Sequence, residues 1–162
     1  GELRINPSRF NLTEQIWNIF LSFEQRIDSK GINVRGFDYL ATNYIEADRD
    51  MINQVFYNLI DNAVKFTNDH GEIHISMEND GEYVSVSIKN TGKGISEEDI
   101  DHVFERFYKG DKSRSLDTKS TGLGLFIVKN IVKLHNGEIS VKSIDDKYTQ
   151  FTVKLKIQLI EV

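Results

Sequence analysis

Asn58-Leu59-Ile60-Asp61-Asn62-Ala63-Val64-Lys65-Phe66-Thr67 closes a run that starts near Asp48, and the reading of the whole chain turns on it. Ile52, Val55, Phe56, Leu59, Ile60 and Ala63 recur at the spacing of an α-helix and make one apolar arc. Gln54, Asn58, Asp61, Asn62 and Lys65 fall on the opposite side. With Asp48 placed to cap its first turn, the pattern predicts a helix reaching about Phe66, buried on one face and rich in amides on the other.

Upstream, Asn11 followed by Glu14 marks a helix start, and Ile16, Ile19, Phe20, Phe23 and Ile27 continue at helical spacing to a stop at Gly31. That predicts a first helix from Leu12 to Ser29, followed by β-rich stretches at Ile32 to Phe37 and Thr42 to Ala47. Downstream, Ile73, Ile75 and Met77 alternate with polar neighbours, Asp80-Gly81 supplies a turn, and Val84, Val86 and Ile88 resume the alternation, which is the signature of an antiparallel hairpin. Ser96 with Asp99 opens a short helix. A polar segment from Lys109 to Ser120 leads to another helix from Gly122 to Leu134, which Asn136-Gly137 ends. Strands at Glu138 to Ser143 and Thr149 to Leu159 then flank a turn at Asp145-Asp146-Lys147. Helices mixed with antiparallel hairpins give an α+β fold, a two-layer sandwich with a mixed, mostly antiparallel sheet on helices.

A chain of 162 residues whose single proline, Pro7, lies near the start has the size and continuity of one domain. A net charge of -5 argues against a general nucleic-acid surface, and the absence of cysteine removes disulfides, thiolate metal sites and thiol nucleophiles. No apolar run approaches the roughly 20 residues that span a bilayer, and Gly1-Glu2-Leu3-Arg4 opens no signal-peptide core.

Three segments carry candidate chemistry. Asn58, Asn62 and Lys65 project from one helix face, where amide oxygens suit a hard cation such as Mg²⁺ and the lysine adds a point charge for phosphate; taken alone, the stripe is equally that of a solvated helix. Asn90-Thr91-Gly92-Lys93-Gly94-Ile95 follows a strand, and its glycines permit positive φ or close backbone approach, as any strand-ending turn would. Thr121-Gly122-Leu123-Gly124-Leu125 opens a helix, whose free N–H groups and dipole favour phosphate. Between the last two lies the aromatic cluster Phe104-Glu105-Arg106-Phe107-Tyr108-Lys109, equally able to pack a core or to anchor a loop.

In this order the four segments resemble the N, G1, F and G2 boxes of the histidine kinase catalytic domain, a branch of the superfamily that also holds type II topoisomerases, Hsp90 chaperones and MutL repair proteins. The resemblance covers nearly the whole chain and implies the Bergerat-type ATP-binding fold, with residues 1–8 ending a linker from a dimerisation and phosphoacceptor domain and residues 9–162 forming the catalytic domain. It implies ATP and Mg²⁺ as ligands: Asn62 on the metal, Asn58 placing metal and phosphates, Lys65 on phosphate, and Phe66 lining the nucleotide pocket. Gly92 and Gly94, with Ile95, would shape the adenine side. Thr121, Gly122, Leu123, Gly124 and Leu125 would present the phosphate-binding turn, Lys109 to Ser120 would form a lid hinged by Phe107 and Tyr108, and Lys109 stands where relatives often place a γ-phosphate-directed arginine. Asn58, Lys65 and Lys109 are thus the expected catalytic residues.

The chain departs from the family pattern at Asn90, where an aspartate usually receives the adenine amino group; an amide oxygen can accept the same hydrogen bond. Ser120 replaces a frequent glycine. Asn58 occupies the place of the glutamate that activates water in ATP-hydrolysing relatives, and an amide is no ordinary general base, which favours phosphoryl transfer over hydrolysis. None of His70, His74, His102 and His135 sits in a phosphoacceptor motif. The expectation is therefore a monomeric, cytoplasmic domain that phosphorylates a histidine on its own, separate dimerisation domain and serves a response regulator indirectly, with no nucleic-acid partner and no membrane contact of its own. Whether the parent is anchored in the bacterial inner membrane stays open. Two alternatives share the same boxes: an anti-sigma-factor serine kinase, against which the aromatic cluster weighs, and a binding-only module, against which Asn62, Lys65 and the paired glycines weigh.

Overall fold

The computed structural model describes residues 4–108 and 122–159. The chain runs β1 (Pro7–Asn11), α1 (Leu12–Ser22), α2 (Glu24–Lys30), β2 (Asn33–Arg35), a single 3₁₀ turn (Phe37–Tyr39), β3 (Tyr44–Asp48), α3 (Arg49–Phe66), β4 (Glu72–Asn79), β5 (Tyr83–Thr91), α4 (Glu97–Ile100), α5 (Gly124–Leu134), β6 (Glu138–Ile144) and β7 (Tyr148–Lys156). The helix starts read from sequence are built as capping predicts: Asn11, Asp48 and Ser96 accept from the N–H groups of Glu14, Met51 and Asp99 at 3.0, 3.1 and 3.2 Å.

Among the described residues, five strands form the main sheet in the order β2-β4-β5-β7-β6, with only β2 and β4 parallel, while β1 and β3 make a separate antiparallel pair. Strict alternation puts Val84, Val86 and Ile88 of β5 and Phe151, Val153 and Leu155 of β7 into one core with Leu12, Ile16, Phe56 and Ile60 of the helices. The expected α+β sandwich is what forms. The inward row of β5 ends on a polar residue, Asn90, only 6% exposed, and its neighbour on β7 is Thr149. A polar pair at the end of an apolar row marks the edge of the core as a place built for something other than packing.

Several expected boundaries shift. The predicted first helix is broken at Phe23, whose backbone (φ -99°, ψ 7°) leaves the helical region as its ring goes into the core beside Tyr57, with ring centroids 5.1 Å apart. Gly31, at φ 65°, provides the expected stop. Pro7–Asn11 form β1, a strand hidden from pattern reading because only Phe10 of its five residues is buried. The stretch read as extended from Ile32 to Phe37 shrinks to three residues, as Gly36 at φ 109° starts the 3₁₀ turn. The last helix starts at Gly124 rather than Gly122, and the last strand ends at Lys156 rather than Leu159.

Candidate functional site

The second half of α3 carries the amide face, and both ends of this helix are pinned. At its start the Asp48 carboxylate accepts from Asn6 N–H (2.9 Å) and Met51 N–H (3.1 Å). Burial alone would raise the Asp48 pKa, but these backbone donors outweigh it and hold the carboxyl below its ordinary range. At its end the Lys30 ammonium donates to Val64 O (2.8 Å) and Lys65 O (3.0 Å), capping carbonyls that have no partner within the helix. Burial pushes the Lys30 pKa down, and Asp69 opposes it.

Along the exposed side, Asn58 and Asn62 are half-buried. Asn58 Nδ2 reaches Gly124 O at 3.5 Å, linking the helix face to the start of α5, whereas the Asn62 amide makes no hydrogen bond among the described residues. Lys65 lies 3.7 Å from Asp61, which also takes Arg26 at 2.8 Å. No group of three His, Asp or Glu able to hold a metal occurs among the described residues, and with the Asp61 carboxylate engaged by Arg26 and Lys65 the face offers the amide oxygens of Asn58 and Asn62 as hard donors. They suit a cation whose remaining ligands come from water and phosphate.

A cavity of about 40 Å³ lies behind that face, lined by Asn62 and Phe66 of α3, Asn90 of β5, Ile95, Leu125 of α5, and Thr149 and Phe151 of β7. Asn90 Nδ2 donates to Thr91 O at 3.1 Å. An amide oxygen in that place would confront the carbonyl oxygen, so the amide orientation is determined and Oδ1 is left as the acceptor for the cavity. The glycine segment beside it is held from two sides. Thr67 bridges Gly92, where a Cβ would lie 2.3 Å from Phe66 O, so the close approach of α3 and this loop requires glycine there. Asp146 N–H donates to Lys93 O at 2.6 Å and Gly92 N–H to Lys147 O at 3.2 Å, fastening the loop to the β6–β7 turn.

The aromatic cluster is tied to the second glycine segment through backbone: Phe107 N–H donates to Gly122 O at 3.0 Å, and a Cβ on Gly122 would meet Phe107 backbone at 2.8 Å. The Arg106 guanidinium stands over the rings of Phe107 and Phe126, 4.9 and 5.9 Å from their centroids. The Tyr108 hydroxyl donates to Asp99, which pushes its pKa up to about 12, and the hydrogen bond to Glu105 raises that of His102.

The cavity thus brings together Asn62, Phe66, Asn90, Ile95 and Leu125 of the expected residues. Asn58, Lys65, Gly92, Gly94, Phe107, Tyr108, Gly122, Leu123 and Gly124 do not line it, and Lys109, Thr121 and the expected lid from Lys109 to Ser120 lie outside the described residues. Leu59, Ala63, Ile88, Thr149 and Phe151 also line it and were missed. For Thr149 and Phe151 the signal was present in the inward alternation of the last strand. A larger cavity of about 610 Å³, walled by Trp17, Phe20, Leu21 and Tyr39, contains none of the expected residues.

Comparison with known proteins places these observations. A profile described as histidine kinase-, DNA gyrase B-, and HSP90-like ATPase matches residues 47–159. The sensor protein SrrB of Staphylococcus aureus is 43% identical over 136 residues, which make up 83% of this chain and 23% of that protein. The chain thus spans about a quarter of the length of the curated relatives it matches. The catalytic domain of histidine kinase ThkA superposes with a TM-score of 0.79 at 29% identity, covering 96% of this chain and 98% of that one. The Acinetobacter baumannii histidine kinase AdeS superposes with a TM-score of 0.77 at 28% identity, covering 96% of this chain and 69% of that one.

Proposed function

This chain belongs to the histidine kinase-, DNA gyrase B-, and HSP90-like ATPase family, and from that premise we propose that it is the catalytic part of a sensor histidine kinase that transfers the γ-phosphoryl group of ATP to a histidine on a separate dimerisation domain. The observation that carries this reading is the convergence of Asn62, Phe66, Asn90, Ile95 and Leu125, from separate sequence segments, on one cavity beside the amide face of α3. The purine occupies that cavity after its walls part, since 40 Å³ holds little more than a water molecule. The Asn90 Oδ1 accepts from the adenine amino group, and Phe66 and Ile95 supply the apolar walls.

Asn62 would hold Mg²⁺, with Asn58 helping to place the metal and the phosphates, and the metal would supply charge neutralisation at the transferring group. Lys65 leaves Asp61, an ion pair with both partners part-exposed, for the phosphates, while Gly122 and Gly124 offer backbone N–H groups at the start of α5. Lys109 and Thr121, outside the described residues, are proposed for the phosphates on the family resemblance alone. Asn58 is no ordinary general base, which favours transfer to an external nucleophile over hydrolysis of ATP, and the histidine kinase reading makes that nucleophile an imidazole. The domain works in the cytoplasm, as one part of a longer protein whose dimerisation domain and response regulator are its partners. In a relative, histidine kinase ThkA, the kinase has been seen in complex with the response regulator TrrA. No helix among the described residues is long and apolar enough to cross a membrane.

The test supplies the missing dimerisation domain of the parent protein together with γ-labelled ATP. Label that appears on that domain, is lost in acid and survives alkali is the expected result. Labelling of a serine, stable in acid, would replace this reading with that of a serine kinase, and robust self-labelling of the chain on one of its own histidines would overturn the division of labour.

A further inference from the structure

Asn90, Thr149 and Ser143 stand side by side on three adjacent strands, paired across β5–β7 and β6–β7. Ser143 is outside the cavity but its hydroxyl is fully committed. It donates its only proton to Tyr148 O at 2.7 Å, and it accepts from Ile95 N–H at 2.7 Å. Thr149 Oγ1 lies 3.1 Å away. With the serine proton already used, the contact between the two hydroxyls has one possible direction: Thr149 O–H donates and Ser143 Oγ accepts, filling its second lone pair.

Thr149 lines the cavity and is 6% exposed. Its proton being directed away to Ser143, the hydroxyl can offer the cavity only lone pairs. Asn90, with its Nδ2 held by Thr91 O, likewise offers an oxygen. We infer that Ser143 is a specificity-determining residue that acts through Thr149: by taking the threonine proton it leaves Thr149 only acceptor lone pairs to offer, which together with Asn90 Oδ1 suits this end of the cavity to the two-donor amino group of adenine and sets it against the O6 acceptor of guanine. The same oxygen, through Ile95 N–H, holds the glycine loop in place, which ties base choice and loop position to one atom. This rests on the nucleotide reading above and adds to it the residue that sets the polarity of the base-facing edge.

The experiment is calorimetric titration of the chain with nonhydrolysable ATP and GTP analogues, for the native protein and for Ser143→Ala, Ser143→Thr and Thr149→Val, with a thermal melt for each. In Ser143→Ala the Thr149 proton is free to turn to the cavity and donate to guanine O6, so the ATP-over-GTP preference falls by about two- to tenfold, the effect of one mis-set hydrogen bond. Ser143→Thr keeps the acceptor and the preference. A role in folding alone would weaken both nucleotides together and leave their ratio unmoved. A native chain that binds both analogues alike sinks the adenine reading and this one with it, whereas a native preference that survives intact in Ser143→Ala sinks only this one. Should Ser143→Ala fail to fold, Thr149→Val decides: the preference falls if the threonine oxygen reads the amino group, and an undiminished preference overturns the inference.

Discussion

Replacing Asn90 by the aspartate usual in the family has an outcome that the structure predicts against first intuition. Asn90 is 6% exposed and its Nδ2 donates to Thr91 O at 3.1 Å. In Asn90→Asp an ionised carboxylate puts an oxygen where that donor was, so the hydrogen bond, worth roughly 1 kcal/mol, is lost and two acceptors are forced together in a desolvated place, for a total of about 2–3 kcal/mol. At roughly 2–4 °C per kcal/mol for a chain of this size, the nucleotide-free variant should melt about 5–10 °C below the native protein at pH 8. Protonation relieves the conflict, because a carboxylic O–H can donate to Thr91 O and restore the native pattern. The same 2–3 kcal/mol raises the folded-state pKa of the new carboxyl by about 2 units from the ordinary value near 4. A raised folded pKa means that the folded state binds the proton more tightly. The deficit is therefore absent below about pH 4 and fully developed above about pH 6. An adenine amino group would supply the missing donor as well, so saturating ATP analogue should lift the melting temperature of the variant more than that of the native chain, and GTP analogue should not. Thermal melts from pH 4 to 8, with and without each analogue, make the measurement. A variant as stable as the native chain at pH 8, or a deficit that ignores pH, would refute the assigned orientation of the Asn90 amide.

Asn62→Ala should leave the fold intact and abolish the Mg²⁺ enhancement of ATP-analogue binding, a loss of about tenfold or more that titration with and without Mg²⁺ reads directly. His135 is buried at 1% exposure, takes Asp48 N–H on Nε2 at 3.1 Å and meets Ile131 O through Nδ1 at 2.8 Å, so His135→Leu strands a buried N–H and should cost about 1–3 kcal/mol, roughly 3–10 °C in a thermal melt. Lys30→Met keeps the side-chain stem but removes the cap on Val64 O and Lys65 O, for a loss of about 1 kcal/mol in denaturant unfolding. The depressed pKa of Asp48 contributes stability that is present above its unfolded value of 3.8 and is lost as pH falls through the lower folded value; the melting-temperature gap between the native chain and Asp48→Asn should accordingly close below about pH 4.

Long-period patterns survived the passage from sequence to structure, and local backbone choices did not. The apolar arc of α3 and the alternation of β4, β5 and β7 repeat over eight or more residues each, so their burial could be read without knowing their neighbours. β1 was illegible because its stability comes from pairing with β3, which no pattern in Pro7–Asn11 records. Of the site, the amides on α3 and the glycines were visible as residue types. Ser143 and Lys30 were not, since their roles lie in single hydrogen bonds from outside the motifs to a backbone N–H and to two carbonyls.

Those outlying contacts explain how a helix face of ordinary composition can act as a defined site. α3 is held at Asp48 by the backbone of Asn6 and by His135 on the far end of α5, and at its other end by Lys30 and the Thr67–Gly92 bridge. With both ends held and its apolar arc packed, α3 sets the positions of Asn58, Asn62 and Phe66 relative to Asn90 and Gly124. The same His135 contact couples α5, which starts at Gly124 on the phosphate side, to the start of α3. The two helices that would share the nucleotide are thus joined at the end remote from it, and at the other end Asn58 Nδ2 meets Gly124 O at 3.5 Å. On the proposed reading, His135→Leu should therefore disturb metal-dependent binding more than base recognition, because the base would be held by β5, β7 and the turn that Ser143 fastens.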